Sequence, residues 1–311
     1  MVTDSMRAEV ERLKREQDAV ILAHYYVEDD AQDLADFVGD SFYLARKAKE
    51  LSCATLVFAG VRFMAESAKL LSPEKRVLMP DVTAGCPMAH MARRSTVEEA
   101  RERYGEDLAV VCYVNSTTEM KALSDVCVTS SNAARIVGRL PEGNVLFIPD
   151  MHLGHYVAGQ VPSKNVILND GSCVTHEAIE LAEVEELKRA HPAAVVCAHP
   201  ECATWVVDAA DYVGSTSGII ERVVSGAEEE YVICTVHGVH HEIDLRLAAT
   251  GQAGRKRYYF PRTTPVCPNM AKVTGEKVLA CLRDGTGETD VDERFAAGAR
   301  RALDRMLELA R

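Results

Sequence analysis

ADFVGDSFYLARKAKEL (residues 35–51), SDVCVTSSNAARIVGRL (124–140) and ADYVGSTSGIIERVVSG (210–226) are three versions of one pattern. Each has an aspartate, a short β-prone run, a turn of small or hydroxylated residues, and an apolar helix. Internal repeats decide the fold when they exist, so the register they imply has to be tested elsewhere in the chain. Taking Asp36, Asp125 and Asp211 as equivalent sets matching positions 89 and then 86 residues apart. Upstream, that register aligns His24, Tyr113 and His199 in AVILAHYY, AVVCYVNS and AVVCAHPE, and two positions further on Tyr26, Asn115 and Glu201. Downstream it aligns LVFAGVRFMAE, VLFIPDMHLGHYV and YVICTVHGVHHEI as a third strand and turn. One strand and loop later, RVLMPDVTAGC, NVILNDGSC and RYYFPRTTPVC end on Cys86, Cys173 and Cys267.

Strands alternating with helices at this density predict an α/β fold with parallel sheets. The expected architecture is three homologous three-layer α/β/α domains around a pseudo-threefold axis, spanning 1–94, 95–178 and 179–267. A C-terminal helix, 268–311, is expected to pack back on the first. Ligands of open parallel sheets gather at the carboxyl ends of the strands, where every aligned polar residue falls. A side-by-side solenoid is the alternative; it would keep the three cysteines apart and gives no reason for polar residues at matching strand ends.

Composition narrows the function. The chain of 311 residues has a formal net charge of −12 and no Lys/Arg cluster, which disfavours a nucleic-acid partner. Its apolar runs are far shorter than the ~20 residues of a membrane span, so a cytoplasmic location without membrane attachment is expected. Ten cysteines contain neither a Cys-x-x-Cys pair nor a zinc-finger spacing, so any metal centre must draw ligands from distant positions.

Cysteine is usually a buried small hydrophobe, and that reading suits Cys112, Cys127, Cys197 and Cys234 in strands; Cys53, Cys202 and Cys281 have no repeat equivalents. Cys86, Cys173 and Cys267 recur in all three repeats, in loops near Pro or Gly. Three thiolates leave one iron of a four-iron cluster open to substrate. A zinc site with a water competes, and His176 beside Cys173 keeps it open. Ser41, Ser130 and Thr216 are expected at helix starts, where hydroxyl and free N–H groups bind phosphate or carboxylate, or simply cap the helix. No nucleotide-binding glycine motif is present. His24, His176 and His199, with Tyr26, Tyr113, Asn115 and Glu201, supply donors and a candidate general base. His237, His240 and His241 fit an inner loop or a solvated turn equally well.

AHYY, VGDS, GVRFMAES, CPMA, YVNSTTE, TSSNA, HPEC, YVGSTSG and CPNM, in that order over residues 19–282, resemble the quinolinate synthase family. The resemblance implies three homologous domains around a cavity holding a 4Fe-4S cluster, with Cys86, Cys173 and Cys267 as its ligands. It implies condensation of iminoaspartate with dihydroxyacetone phosphate to quinolinate, with loss of phosphate and two waters, the open iron acting as Lewis acid. It makes Tyr26 and Glu201 the principal acid/base residues, with Tyr113 and His199 beside them. His24, Asn115 and His176 orient intermediates, and Ser41, Ser130, Ser215 and Thr216 hold phosphate or carboxylates. A functional link to an aspartate-oxidising enzyme follows from the pathway. Two departures stand out: CVTH where the family has Cys-Pro-x-His, and CTVHGVHHE, with Val236 after Thr235, where it has Thr-Glu-x-x-Gly. Two other readings are a paralogue acting on another small phosphorylated or dicarboxylic substrate, and a non-catalytic iron-sulfur sensor. Tyr26 and Glu201 speak against the sensor, which needs no proton-transfer residues.

Overall fold

The structure is a computed structural model and describes residues 2–263 and 265–311. Three four-stranded parallel sheets carry the fold. The first holds β1 (Ala19–His24), β2 (Phe37–Gly39), β3 (Thr55–Ala59) and β4 (Arg76–Leu78). The second holds β5 (Leu108–Tyr113), β6 (Val126–Val128), β7 (Asn144–Ile148) and β8 (Asn165–Leu168). The third holds β9 (Val195–Ala198), β10 (Tyr212–Val213), β11 (Glu230–Cys234) and β12 (Arg257–Tyr259). Their strand orders, β2-β1-β3-β4, β6-β5-β7-β8 and β10-β9-β11-β12, are the same order three times. In each, the chain leaves the first strand toward one edge and returns on its other side, which opens a crevice at the carboxyl end of that strand.

The repeated aspartate explains why the three sheets share a register. The carboxylates of Asp36, Asp125 and Asp211 accept from the N–H groups of Ile21, Val110 and Val196 at 2.8, 2.7 and 2.9 Å, each fifteen residues back. The backbone N–H of each aspartate returns a bond to the carbonyl of that same strand residue at 2.9 Å. A cation from the α-helix before the first strand of each sheet completes each clamp: Lys14, Arg101 and Lys188 reach the three carboxylates at 2.5, 3.3 and 3.0 Å. One side chain therefore fixes the edge strand against the central strand, and with it the position of the helix that follows.

The units do not pack alike. Residues of the first two sheets and their helices form one continuous hydrophobic core. The third sheet instead has a separate cluster on each face, one of which takes in Tyr25 from the first unit. Beyond residue 267 the chain forms two helices, not one, because Gly285 in a left-handed conformation ends the first of them. The helix Gly275–Asp284 packs on the N-terminal helix Asp4–Gln17 and on β3. The helix Glu293–Leu309 instead lies on Thr118–Leu123, β6 and Arg62–Leu71, across the seam between the first two units.

Removing one clamp tests its weight. Asp125→Ala leaves the Val110 N–H without its charged acceptor and should lower unfolding free energy by about 1.5–3 kcal/mol, measured by urea denaturation. Asp125→Asn, which keeps an acceptor oxygen, should lose less. A change below about 0.5 kcal/mol for the alanine variant would place the clamp among ordinary surface pairs.

Candidate active site

The carboxyl ends of all three sheets open on one cavity. Its walls carry His24, Tyr26, Ser41 and Cys86 from the first unit and Tyr113, Asn115, Ser130, Cys173 and His176 from the second. His199, Glu201, Thr216 and Cys267 complete it from the third. The side-by-side alternative is thereby removed, since it separates the cysteines. One predicted residue stands apart: Ser215 is not in the wall, and its Oγ accepts from the Gly218 N–H as the cap of the helix Thr216–Ser225. Ser41 and Thr216 are first residues of their helices, whereas Ser130 precedes the helix Ala133–Arg139 in a turn. Asn132, whose Oδ1 accepts from the Thr129 N–H, holds that turn and delays the helix.

Each of the three cysteines opens a short helical turn. The carbonyls of Cys86, Cys173 and Cys267 accept from the N–H groups of Ala89, Glu177 and Ala271 at 3.1, 2.9 and 3.0 Å. All ten cysteines are free; the seven others are buried, and these three are part-exposed on the cavity wall. Burial pushes the Cys86 thiol up to about 12, while the Ala89 and Met88 N–H groups aimed at its sulfur pull the other way. Burial likewise raises the Cys173 thiol well above its ordinary value, opposed by the His176 N–H. Backbone donors directed at sulfur suit thiolate ligands of an inorganic centre. The three sulfurs are not gathered closely enough to form a single-ion ligand group. Zinc–sulfur bonds of about 2.3 Å would require them within roughly 4.6 Å of one another, so the trio fits a larger body better than one zinc ion.

A chain of hydrogen bonds crosses all three units beside the cysteines. The Tyr26 hydroxyl lies 2.7 Å from Thr216 Oγ1 and 2.8 Å from Thr235 Oγ1. Thr235 Oγ1 is 2.9 Å from His176 Nε2, and His176 Nδ1 is 2.8 Å from Glu201 Oε2. Asn115 Nδ2 donates to Glu201 Oε1 at 3.4 Å, and His199 Nε2 lies 3.2 Å from Ser130 Oγ. The first and third units are tied by the Ser217 hydroxyl donating to Asp40 at 2.5 Å. The Tyr26 and Glu201 N–H groups donate to Nδ1 of His24 and His199, at 3.2 and 3.3 Å. That bond leaves the proton of each neutral imidazole on Nε2.

The electrostatics separate donors from acceptors. Burial lowers His24 to about 3 against the attraction of Glu201, and lowers His199 to about 3 in the same way, so both are neutral. Burial disfavours an ionised Glu201, but His176, His199 and the Tyr113 hydroxyl together hold it down to about 2. Burial and the Glu201 charge raise both Tyr26 and Tyr113 well above 10, so the two phenols are proton-bearing donors. Among the described residues, no Lys or Arg lines the cavity.

Thr235 was missed by sequence reasoning as a site residue, although it links Tyr26 to His176. Its repeat equivalents are Gly60 and Pro149, so the register carried no signal for it. His237, His240 and His241 sit outside the cysteine cavity, beside Asp29 and Asp33; His241 Nε2 is 2.9 Å from Asp33 Oδ1 and His240 Nε2 is 3.5 Å from Asp29 Oδ2. Val236, the departure noted in the sequence, is a buried part of the cavity wall.

Residues 8–308 match the family described as "Quinolinate synthetase A protein". A quinolinate synthase of Fusobacterium nucleatum is 48% identical over 305 residues, covering 98% of this chain and 99% of that one. One from Caldicellulosiruptor saccharolyticus is 44% identical over the full length of both chains. One from Aquifex aeolicus is 41% identical, covering 98% of this chain and 94% of its own.

The buried neutral histidines give the folded chain a pH signature. Between about pH 3 and 6.5 the unfolded chain binds protons that folded His24 and His199 refuse, so stability falls as pH is lowered through that window. Each histidine should contribute a slope of up to about 1.4 kcal/mol per pH unit. Urea denaturation of the metal-free chain from pH 6.5 to 4.5 should show it, and His199→Asn should flatten it; an unchanged slope would mean that His199 titrates in the fold.

Proposed function

Because the chain belongs to the quinolinate synthetase A protein family, of enzymes of NAD biosynthesis, we propose that it makes quinolinate from iminoaspartate and dihydroxyacetone phosphate, releasing phosphate and two waters. The observation that carries this reading is the meeting, in one cavity, of the three repeat-ending cysteines with the hydrogen-bonded chain from Thr216 through Tyr26, Thr235 and His176 to Glu201. Cys86, Cys173 and Cys267 would hold a 4Fe-4S cluster, and what such a cluster supplies when bound is Lewis acidity that polarises a substrate oxygen before water is lost.

The protein's own groups account for binding and proton movement. Glu201, ionised in a buried wall, is the base that takes a proton from a substrate carbon or hydroxyl. His176 Nδ1, 2.8 Å away, shares that proton, and Thr235 connects His176 to the Tyr26 hydroxyl. Tyr26 is the acid, since burial keeps its proton in place until a departing oxygen accepts it. Tyr113 donates to Glu201 and holds its orientation. His24 and His199 present Nε2–H groups to carbonyl or carboxylate oxygens without adding net charge, and Asn115 orients the intermediate beside Glu201. Phosphate and carboxylates are held by the Ser41, Ser130 and Thr216 hydroxyls and by the N-termini of Ser41–Glu50 and Thr216–Ser225, with Ser215 acting through the second of these as its cap. Anion recognition by N–H and O–H groups suits a substrate that must lose its phosphate: a lysine would hold the leaving group as firmly as the reactant.

We place the reaction in the cytoplasm, next to an aspartate-oxidising enzyme that supplies the unstable iminoaspartate. Among the described residues, no helix is long and apolar enough to cross a membrane.

Anaerobic reconstitution should load about four irons per chain, and Cys267→Ser should abolish loading. The loaded chain should form quinolinate from oxaloacetate, ammonia and dihydroxyacetone phosphate. Glu201→Gln should keep its iron while kcat falls about 10²–10⁴-fold. A loaded native chain that yields no quinolinate would overturn the substrate assignment.

A further inference from the structure

Two acceptors converge on a single nitrogen in this cavity. His176 Nδ1 lies 3.2 Å from Cys173 Sγ and 2.8 Å from Glu201 Oε2. The three ligand atoms lie within 4.8 Å of one another, the one such His/Cys/Asp/Glu trio among the described residues. A tetrahedral divalent ion with bonds of about 2.0–2.3 Å spaces its ligand atoms roughly 3.3–3.6 Å apart, so the two edges that meet at His176 Nδ1, at 3.2 and 2.8 Å, need to open only by roughly half an ångström or less, and the thiol–carboxylate edge lies within 4.8 Å. Thiolate, imidazole and carboxylate together are a donor set for a borderline ion such as zinc.

We propose that Cys173, His176 and Glu201 form a mononuclear site for Zn²⁺ that competes with cluster assembly for Cys173. The competition rests on the reading that Cys86, Cys173 and Cys267 hold the cluster; the zinc site itself does not.

Two surrounding features support an ion at this point. The first is the outer partner of the imidazole. With Nδ1 on the metal, the ring proton moves to Nε2 and is donated to Thr235 Oγ1 at 2.9 Å, Thr235 donates to Tyr26 Oη at 2.8 Å, and Tyr26 donates to Thr216 Oγ1 at 2.7 Å. Thr235 and Tyr26 each accept one proton and give one in that line, and Thr216 accepts the last, so the line accommodates the tautomer a metal-bound histidine needs. The second is an orphan acceptor: Asn115 Oδ1 is buried with no hydrogen-bond partner, while its Nδ2 already donates to Glu201. A protic fourth ligand on the ion would satisfy it. Binding displaces the Cys173 thiol proton to solvent; the imidazole proton stays on the ring, and no electron moves. Glu201 is thereby removed as a base and Cys173 as a cluster ligand, so zinc blocks the site twice over.

The ligand sets differ, and that makes the proposal testable on the full-length chain freed of iron under anaerobic reducing conditions. Titration with ZnCl₂ followed by calorimetry should give one equivalent bound. With CoCl₂ as a spectroscopic probe, the charge-transfer band should have the intensity of one cobalt–thiolate bond. Cys173→Ser, His176→Gln and Glu201→Gln should each weaken zinc by more than the ~10–100-fold typical of losing an outer partner, and Thr235→Val should fall within that range. Cys86→Ser and Cys267→Ser should leave zinc affinity within about threefold of the native chain while abolishing iron uptake. Zinc-loaded native protein should refuse iron and sulfide until a chelator is added, whereas Glu201→Gln should take up iron in the presence of zinc. Thermal melting of each metal-free variant separates loss of a ligand from loss of the fold. Zinc binding that fails in Cys86→Ser and Cys267→Ser but survives in His176→Gln and Glu201→Gln would overturn the proposal in favour of a three-cysteine site. Unimpeded iron uptake by zinc-saturated native protein would overturn the competition. If the native chain takes up no iron while the zinc pattern holds, the cluster reading fails and the zinc site stands.

Discussion

An aspartate that bonds a backbone N–H on the neighbouring strand is the constraint on which this architecture rests. In each unit one carboxylate sets the register between the edge strand and the strand beside it, and a lysine or arginine from the helix before that neighbouring strand pairs with the carboxylate. Sheet register moves in steps of one residue that turn every side chain to the opposite face. A slip in any clamp would therefore shift the edge strand and the turn or helix that follows it, carrying Ser41, Ser130 or Thr216 out of place in the cavity wall. Placing the strand ends at the same height in three sheets lets hydrogen bonds of 2.7–2.9 Å link different units.

The cavity combines an ionised carboxylate with neutral imidazoles and proton-bearing phenols, in a protein whose net charge is −12. Burial accounts for most of this pattern, because it disfavours the charged form of histidine and the charged form of tyrosine alike. Glu201 escapes the same fate only because His176, His199 and Tyr113 surround it. Proton donors and the acceptor are thus set by the depth of each group and the company it keeps, not by residue type alone.

Much of this was legible in the sequence, and the limits have physical causes. Anything repeated three times could be read: the sheets, the strand-end polar residues, and the three cysteines that stand apart from the seven buried ones. What occurs once could not. Thr235 and the Asp40–Ser217 link depend on side chains meeting across units far apart in the chain, which no local pattern encodes. A C-terminal helix was expected on the first unit, but the seat of Glu293–Leu309 across the first two units depends on the surface that those two units form together. Ser215 lies beside a wall residue, and its hydroxyl is taken up as the cap of the helix Thr216–Ser225.

The placement of one cysteine at the end of each repeat also fixes an order in time. During synthesis, chain emerges from its N-terminus, so a group held by Cys86, Cys173 and Cys267 cannot acquire its last ligand until the third repeat has been made. Cys173, His176 and Glu201 are all in hand some sixty residues earlier. On the proposed readings, the newborn chain would pass through an interval in which the smaller set of residues has been made and the larger has not, and the metal met in that interval would bear on which form it matures into.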